Sequence, residues 1–339
     1  MKLTNKLKAL TAISNVKLFR KRIPLVVTWP ITNRCNFQCQ YCGRWQGEAE
    51  EVSTEEALAI IDQLSNLGCL RISFSGGEPL LREDFGTLIA YCKKKSITTT
   101  VISNGSLIPQ KIDQLKDVDL IELSLDGARE VNDAVRSNGS FDKILLAAAV
   151  AQGAGIKVFF NAVLTKYNLD HIDCILSIGR QYNTGVLFGP VSYIHSKGVS
   201  VKHLFPRKDE FRQAVDKLIH EKRNGAPVIN SMASLKYMKG WPQPKRIQCY
   251  AGKAFCHITA EGRLYPCVAM EDRFKASYCK GKNFKLALKN LSKGNYCQGC
   301  WCTGTLEFNR LLAFKISALF TLWRLSEGPL GNKRKIMDR

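Results

Sequence analysis

An α/β fold is expected: a parallel sheet wrapped by helices, with a small cysteine-rich unit after it. Three observations predict it. Between residues 25 and 191, six apolar strand-like runs alternate with helix-like segments. Such alternation demands crossover connections, which are right-handed and leave neighbouring strands parallel. Seven of the 13 cysteines crowd into residues 249–302. Between the two regions lie the breaker-rich stretches Asn224-Gly225-Ala226-Pro227 and Trp241-Pro242-Gln243-Pro244.

Taken in order, residues 1–22 carry seven basic side chains and no acid. Leu3, Leu7 and Leu10 share a helical face that fades at Ser14 and Lys17. The segment packs on its own domain or lies on an anionic membrane surface. Leu25–Ile31 reads as a buried strand. Ser53 and Glu56 have capping-box spacing and open a helix through Leu67, closed by Gly68. Strand Cys69–Phe74, helix Arg82–Lys95 and strand Ile97–Ile102 follow, then the turn Ser103-Asn104-Gly105. Helix 108–116 precedes strand 119–125, which ends at Asp126-Gly127. Helix 140–152, strand 156–164, helix 168–182 and strand 185–191 complete the alternation, and 207–224 is one more helix. Loops leaving strand carboxyl ends are where such folds gather their active sites.

One such loop holds Cys35, Cys39 and Cys42 in a C-x3-C-x2-C pattern, with no His or further Cys within twenty residues on either side. Thiolates are soft ligands that select zinc or iron–sulfur clusters. A structural zinc site wants four protein ligands. Three close cysteines instead suit a [4Fe–4S] cube with one iron left for an outside ligand. With Tyr41 before the third cysteine, the stretch resembles the radical S-adenosylmethionine (SAM) superfamily. The resemblance implies a partial (β/α)6 TIM-like barrel in which Cys35, Cys39 and Cys42 hold three irons and SAM chelates the fourth. One-electron cleavage of SAM would then give a 5′-deoxyadenosyl radical that takes hydrogen from a substrate.

Further segments match the same family. Gly76-Gly77-Glu78-Pro79 follows the second strand. Its glycines admit a close ligand, and the resemblance gives Glu78 the amino group of SAM. Ser103 and Asn104 at the third strand, and Ser124 and Asp126 at the fourth, stand where relatives contact SAM polar groups and ribose. Arg136 is placed to reach the SAM carboxylate. Asn161 and Val163 are assigned to the adenine side, and Tyr193 and His195 to substrate. His171, His203, His220 and His257 read as packing or surface. Cys69, Cys92 and Cys174 read as buried core thiols.

Phe255–Val268 alternates around Ala260-Glu261-Gly262 as a hairpin would. Cys249, Gly262 and Cys267, with Cys297-Gln-Gly-Cys300, resemble the family's twitch or SPASM extension. The pattern stops after Cys302, which favours one auxiliary cluster over two. The expected ligands are Cys249, Cys267, Cys297 and Cys300, with Cys302 an alternative. A zinc ribbon is the bland reading of the same C-x2-C. Leu306–Leu325 is a helix that docks on the barrel or lies at a membrane interface. The expected regions are 1–22, a basic segment; 23–228, the core barrel; 229–305, the auxiliary domain; and 306–339, an amphipathic basic tail.

The composition is ordinary for a globular chain, 45% hydrophobic and 23% charged in 339 residues. Clustered cysteines and the lack of a secretory signal point to the reducing cytoplasm. The net charge of +21 predicts attraction to polyanions. No apolar run reaches membrane-spanning length. No Ser-His-Asp triad stands out, as expected where a cofactor does the bond breaking. The expected activity is radical SAM chemistry on a lipid-linked or small-molecule substrate, with an electron donor such as flavodoxin or ferredoxin. Peripheral contact with anionic membrane is expected; specific nucleic-acid binding is not. The alternative is a peptide or protein maturase, disfavoured by the short segment before the barrel. A zinc-stabilised nucleic-acid-binding protein is the alternative from another class.

Overall fold

The computed structural model describes residues 11–16, 21–47, 50–193, 198–271, 276–279, 281, 283–291, 297 and 299–313. Six parallel strands, β1 (Val26–Thr32), β2 (Arg71–Gly76), β3 (Thr98–Ser103), β4 (Leu120–Ser124), β5 (Lys157–Leu164) and β6 (Val186–Pro190), pair in sequence order. The crossover helices include Thr54–Asn66, Phe85–Lys94, Ser140–Gly153 and Ile172–Gln181. Ser53 caps the first of these through a complete capping box with Glu56.

These crossover helices bury against one face of the sheet. Val27, Trp29, Ile31, Ile72, Phe74, Val101, Ile121, Leu123, Phe160 and Phe188 meet Ile60, Leu64, Leu88, Ile89, Ala148 and Ile175 in one core. Consecutive parallel β/α units with their crossover helices on one face are the arrangement of a (β/α) barrel, in which the other face lines a lumen. Thr28, Ser73, Ser75, Ile102, Glu122, Ser124, Asn161 and Val163 alternate with those core residues and stay half-buried. The lumen they line is floored by Leu120, Phe159, Leu187 and Ile229. The outer edge of β6 is closed by residues 227–230. Val186 N donates to Pro227 O at 2.7 Å, and Asn230 exchanges two 2.8 Å bonds with the Phe188 backbone.

The expected hairpin is present as β7 (Phe255–Ile258) and β8 (Arg263–Tyr265). It does more than carry cysteines. β7 pairs parallel with β1, so a single sheet of nine strands runs from β6 to β9 (Ser277–Tyr278). Three expectations shift in detail. Helix 108–116 is one turn, Ile108–Lys111, followed by a 3-10 turn, Ile112–Leu115. Helices Arg129–Val135, Met232–Met238 and Phe284–Asn290 are additional. Cys174 is half-buried, on the flank of its helix's apolar stripe, whereas Cys69 and Cys92 are buried.

Residues 11–16 are helical. Ala12, Ile13 and Val16 pack on Tyr250, Phe255, Cys267 and Leu312. Helix Thr303–Leu312 joins the same cluster, with Phe308 edge-on to Phe255. Leu3, Leu7, Leu10, Lys17, His195 and the tail beyond Ala313 lie outside the described residues. Among the described residues no helix is long and apolar enough to cross a membrane.

Candidate functional site

The loop bearing Cys35, Cys39 and Cys42 leaves the carboxyl end of β1 and is tied down by three neighbours. From β2, Gly77 N donates to Thr32 O at 2.9 Å and Glu78 N to Arg34 O at 2.8 Å. This explains the two glycines. A Cβ on Gly77 would lie 2.0 Å from Arg34 O, and one on Gly76 would lie 2.1 Å from Thr32 O. Gly76 also has φ +143°, where other residues are strained. What the glycines admit here is the backbone of the cysteine loop itself. From β3, Asn104 Nδ2 donates to Asn36 Oδ1 at 2.9 Å. From helix Arg129–Val135, the carbonyls of Val135 and Ala134 accept from Gln40 N at 2.9 Å and Gln40 Nε2 at 2.8 Å.

Two buried carboxylates brace this arrangement. Glu78 accepts from Ser103 Oγ at 2.9 and 3.0 Å, from Asn104 N at 2.8 Å and from Leu80 N at 3.3 Å. Burial nevertheless outweighs these donors and pushes its carboxyl up to about 7. Pro79 opens the 3-10 turn Pro79–Leu81 that carries the Leu80 donor. Asp126 is fully buried. Its Oδ2 accepts from Tyr41 Oη at 2.7 Å and lies 2.7 Å from Arg136 Nε; its Oδ1 accepts from Val163 N at 2.8 Å. The Arg136 guanidinium also lies 5.5 Å from the Tyr41 ring centroid. Arg136 is therefore no surface charge. It neutralises Asp126 beneath the cysteine loop and, with Asp126, binds Tyr41 in place. Ser124 stands two residues before Asp126, half-buried on the lumen wall.

The three thiols lie close enough to sense one another. Burial pushes Cys39 up to about 12 and Cys35 up to about 11; Arg136 acts against the shift at Cys39, and Cys42 adds to it at both. A bound metal would displace these protons. Among the described residues no three donor side chains close on one point as a mononuclear ion requires. A four-iron cube spreads its thiolates around a larger body, and a partly exposed trio at a strand end suits it.

Cys249, Cys267, Cys297, Cys300 and Cys302 form a second group around the start of helix Thr303–Leu312. Burial comes first in raising Cys267 and Cys300. Cys302 and Cys249 contribute at both thiols, and Cys297 at Cys267. The helix aims Thr305 Oγ1 at Cys302 Sγ (3.3 Å) and Asn309 Nδ2 at Cys249 Sγ (3.7 Å). Tyr237 Oη accepts from Cys300 N at 2.9 Å, and a Cβ at Gly299 would lie 2.2 Å from the Pro244 Cβ. Cys256 and Cys279 stand apart, buried near Cys69.

Between the two cysteine groups runs a network that sequence reasoning missed. His257, on β7, lies 2.9 Å from Thr28 Oγ1 through Nδ1 and 3.2 Å from Glu271 Oε2 through Nε2. Arg44, two residues past Cys42, donates to Glu271 Oε2 at 2.9 Å, and both side chains are buried. His257 thus belongs to a buried polar bridge. Glu122 was also missed. Its one signal was a carboxylate inside the apolar run 119–125. Tyr193 is exposed and packs against Phe205.

Residues 29–177 match the family described as the radical SAM superfamily. The chain is 35% identical over 218 residues to Fe-coproporphyrin III synthase of Methanosarcina barkeri, covering 62% of this chain and 54% of that protein. It is 30% identical over 266 residues to mycofactocin maturase MftC of Mycolicibacterium smegmatis, covering 75% and 67%. It is 28% identical over 260 residues to PqqA peptide cyclase of Granulibacter bethesdensis, covering 73% and 68%. The fold resembles Streptococcus suis SuiB bound to S-adenosylmethionine, with TM-score 0.66 at 18% identity, covering 91% of this chain and 79% of that one.

Proposed function

The chain belongs to the radical SAM superfamily, and from that premise we propose that it is a peptide maturase with one auxiliary iron–sulfur cluster. One observation carries the reading: two separate cysteine groups are joined by one continuous sheet, the first at the carboxyl end of β1 and the second beside the β7–β8 hairpin. Similarity to a maturase and a peptide cyclase, each over about three quarters of this chain, supports a peptide over the lipid-linked or small-molecule substrate expected from sequence.

When bound, the [4Fe–4S] cluster and SAM supply one-electron cleavage of a sulfonium and a carbon radical able to take hydrogen. The protein's task is to bind, orient and exclude water. Cys35, Cys39 and Cys42 would hold three irons. Gly76, Gly77, Glu78 and Pro79 would border SAM together with Ser103, Asn104 and Ser124. Asp126, Arg136 and Tyr41 hold the loop rigid beneath them. Cys249, Cys267, Cys297 and Cys300 would hold the auxiliary cluster, with Cys302 as the alternative ligand. A flavodoxin or ferredoxin would supply the electron.

The test is anaerobic. Dithionite-reduced wild type should form 5′-deoxyadenosine from SAM, and Cys39→Ala should form none. Wild-type-like product from the variant removes Cys39 from the site. Peptides encoded beside the gene are then offered as substrates. Deuterium passing from a labelled peptide into 5′-deoxyadenosine supports the maturase reading. A tetrapyrrole substrate is the second reading, favoured by the 35% identical relative. A shifted absorption band on titration with coproporphyrin, without peptide turnover, would put it first.

A further inference from the structure

Glu122 is the one carboxylate among the half-buried residues on the inner face of β1–β6, and it belongs to neither cysteine group nor the Gly76–Pro79 element. Strand alternation puts it there. Ile121 and Leu123 on either side are fully buried against the helices, while Glu122 keeps accessible surface. It pairs in register with Ile102 on β3 and Phe159 on β5. Leu120, Phe159, Leu187 and Ile229 form the apolar floor next to it, and Ser124 is the next inward residue toward the mouth. Asn161 Nδ2 donates to Oε1 at 2.6 Å. Its other oxygen has no hydrogen-bond partner among the described residues and is not sealed from solvent.

A carboxylate in such a place is costly to ionise with a single donor. The remaining lining residues at its level and toward the mouth are hydroxyls, an amide and apolar groups: Ser75, Ser124, Asn161, Ile102 and Val163. Of the other charged or titratable groups on the inner face, Arg71 stands at the amino end of β2, in register with Val26 and Thr98, and senses Asp119, and His257 bonds Thr28 and Glu271. Once ionised, Glu122 therefore meets no cation of this chain at its own level of the lumen among the described residues.

We propose that Glu122, oriented by Asn161, anchors a positively charged nitrogen of the substrate, the ammonium or guanidinium of a lysine or arginine side chain entering the lumen. This rests on the peptide-maturase reading and deepens it. The cation ends on the free oxygen of Glu122, its alkyl stem lies along Val163 and Ile102, and the peptide backbone stays toward the mouth. The empty site holds its proton up to about pH 7, because burial raises the carboxyl. A cation can bind fully only to the ionised form, so binding below that pH expels a proton.

The probe is n-butylguanidinium, titrated calorimetrically into the iron-reconstituted, SAM-loaded enzyme, with 1-pentanol as the neutral match. Wild type should bind the cation saturably and 1-pentanol more weakly. Affinity should fall toward about tenfold per pH unit below pH ~7, and heats in two buffers at about pH 6 should report release of most of one proton. Glu122→Gln should lose at least about tenfold in affinity. Equal binding of 1-pentanol, or the absence of proton release in wild type, overturns the assignment whatever the variant does. So does an unchanged affinity in a folded variant. If wild type forms 5′-deoxyadenosine yet fails these binding tests, only the Glu122 assignment falls. If it forms none, the reading beneath it falls.

Discussion

At the scale of single residues, position in the fold changes what a side chain is. Glu78 is the clearest case. Sequence gave it a place beside an ammonium group; the structure surrounds it with Ser103, Asn104 and Leu80 donors and closes it from solvent. Its carboxyl is raised from the ordinary 4.5 to about 7. The folded chain then keeps a proton that the unfolded chain releases. Stability is greatest below the unfolded value and declines as pH rises from about 4.5 to about 7, by up to roughly 3 kcal/mol for this group. Thermal melts of the metal-free protein across that window should therefore fall more steeply for wild type than for Glu78→Gln. Parallel curves would show that Glu78 is ionised throughout.

At the scale of elements, the informative one is helix Thr303–Leu312. Its first turn supplies Thr305 to Cys302 and its second supplies Asn309 to Cys249, one face serving two sulfurs. Asn309 Oδ1 also accepts from Tyr250 N at 2.9 Å. Asn309→Ala should cost about 1–3 kcal/mol by stranding that buried N–H. It should also weaken iron retention at the second group while sparing SAM binding at the first. Cys267→Ala should remove about one cube of iron per chain outright. Iron assay and SAM-binding calorimetry on the two variants check both outcomes. Unchanged iron in Cys267→Ala would exclude that thiol as a ligand.

A helix from Leu306 was legible in sequence from an apolar face that begins at Phe308 and Leu312, although the chain turns helical already at Thr303. Its contact with Cys249 was not, because it joins residues 60 positions apart. The 3-10 turn after Lys111 was missed for a related reason. Local pattern does not say where tertiary packing will tighten a helix end.

At the scale of the whole molecule, the nine-stranded sheet makes barrel and extension one body. β1 lies between β2 and β7, bonded to both. The buried Arg44–Glu271 pair and His257 add a second bridge between the regions. Residues 23–228 expressed alone would expose the β7 side of β1 as an unpaired edge. They would also leave Arg44 without its carboxylate partner Glu271. That fragment is expected to aggregate, whereas the chain through Ala313 stays monodisperse by size-exclusion chromatography. A stable monomeric fragment would show that the ladder to β7 is dispensable.

The sequence by itself determined the chemistry: the spacing of Cys35, Cys39 and Cys42, the Gly76–Pro79 element and the later cysteine field are short-range patterns, readable because ligand identity and strand-to-helix periodicity are local. Only the tertiary structure decided that Arg136 neutralises Asp126, that two glycines make room for a backbone, that β7 extends the barrel sheet and that Glu122 faces the lumen. Those facts depend on which strands become neighbours and which face turns inward. Both are set by the burial of the whole apolar surface at once rather than by any single segment.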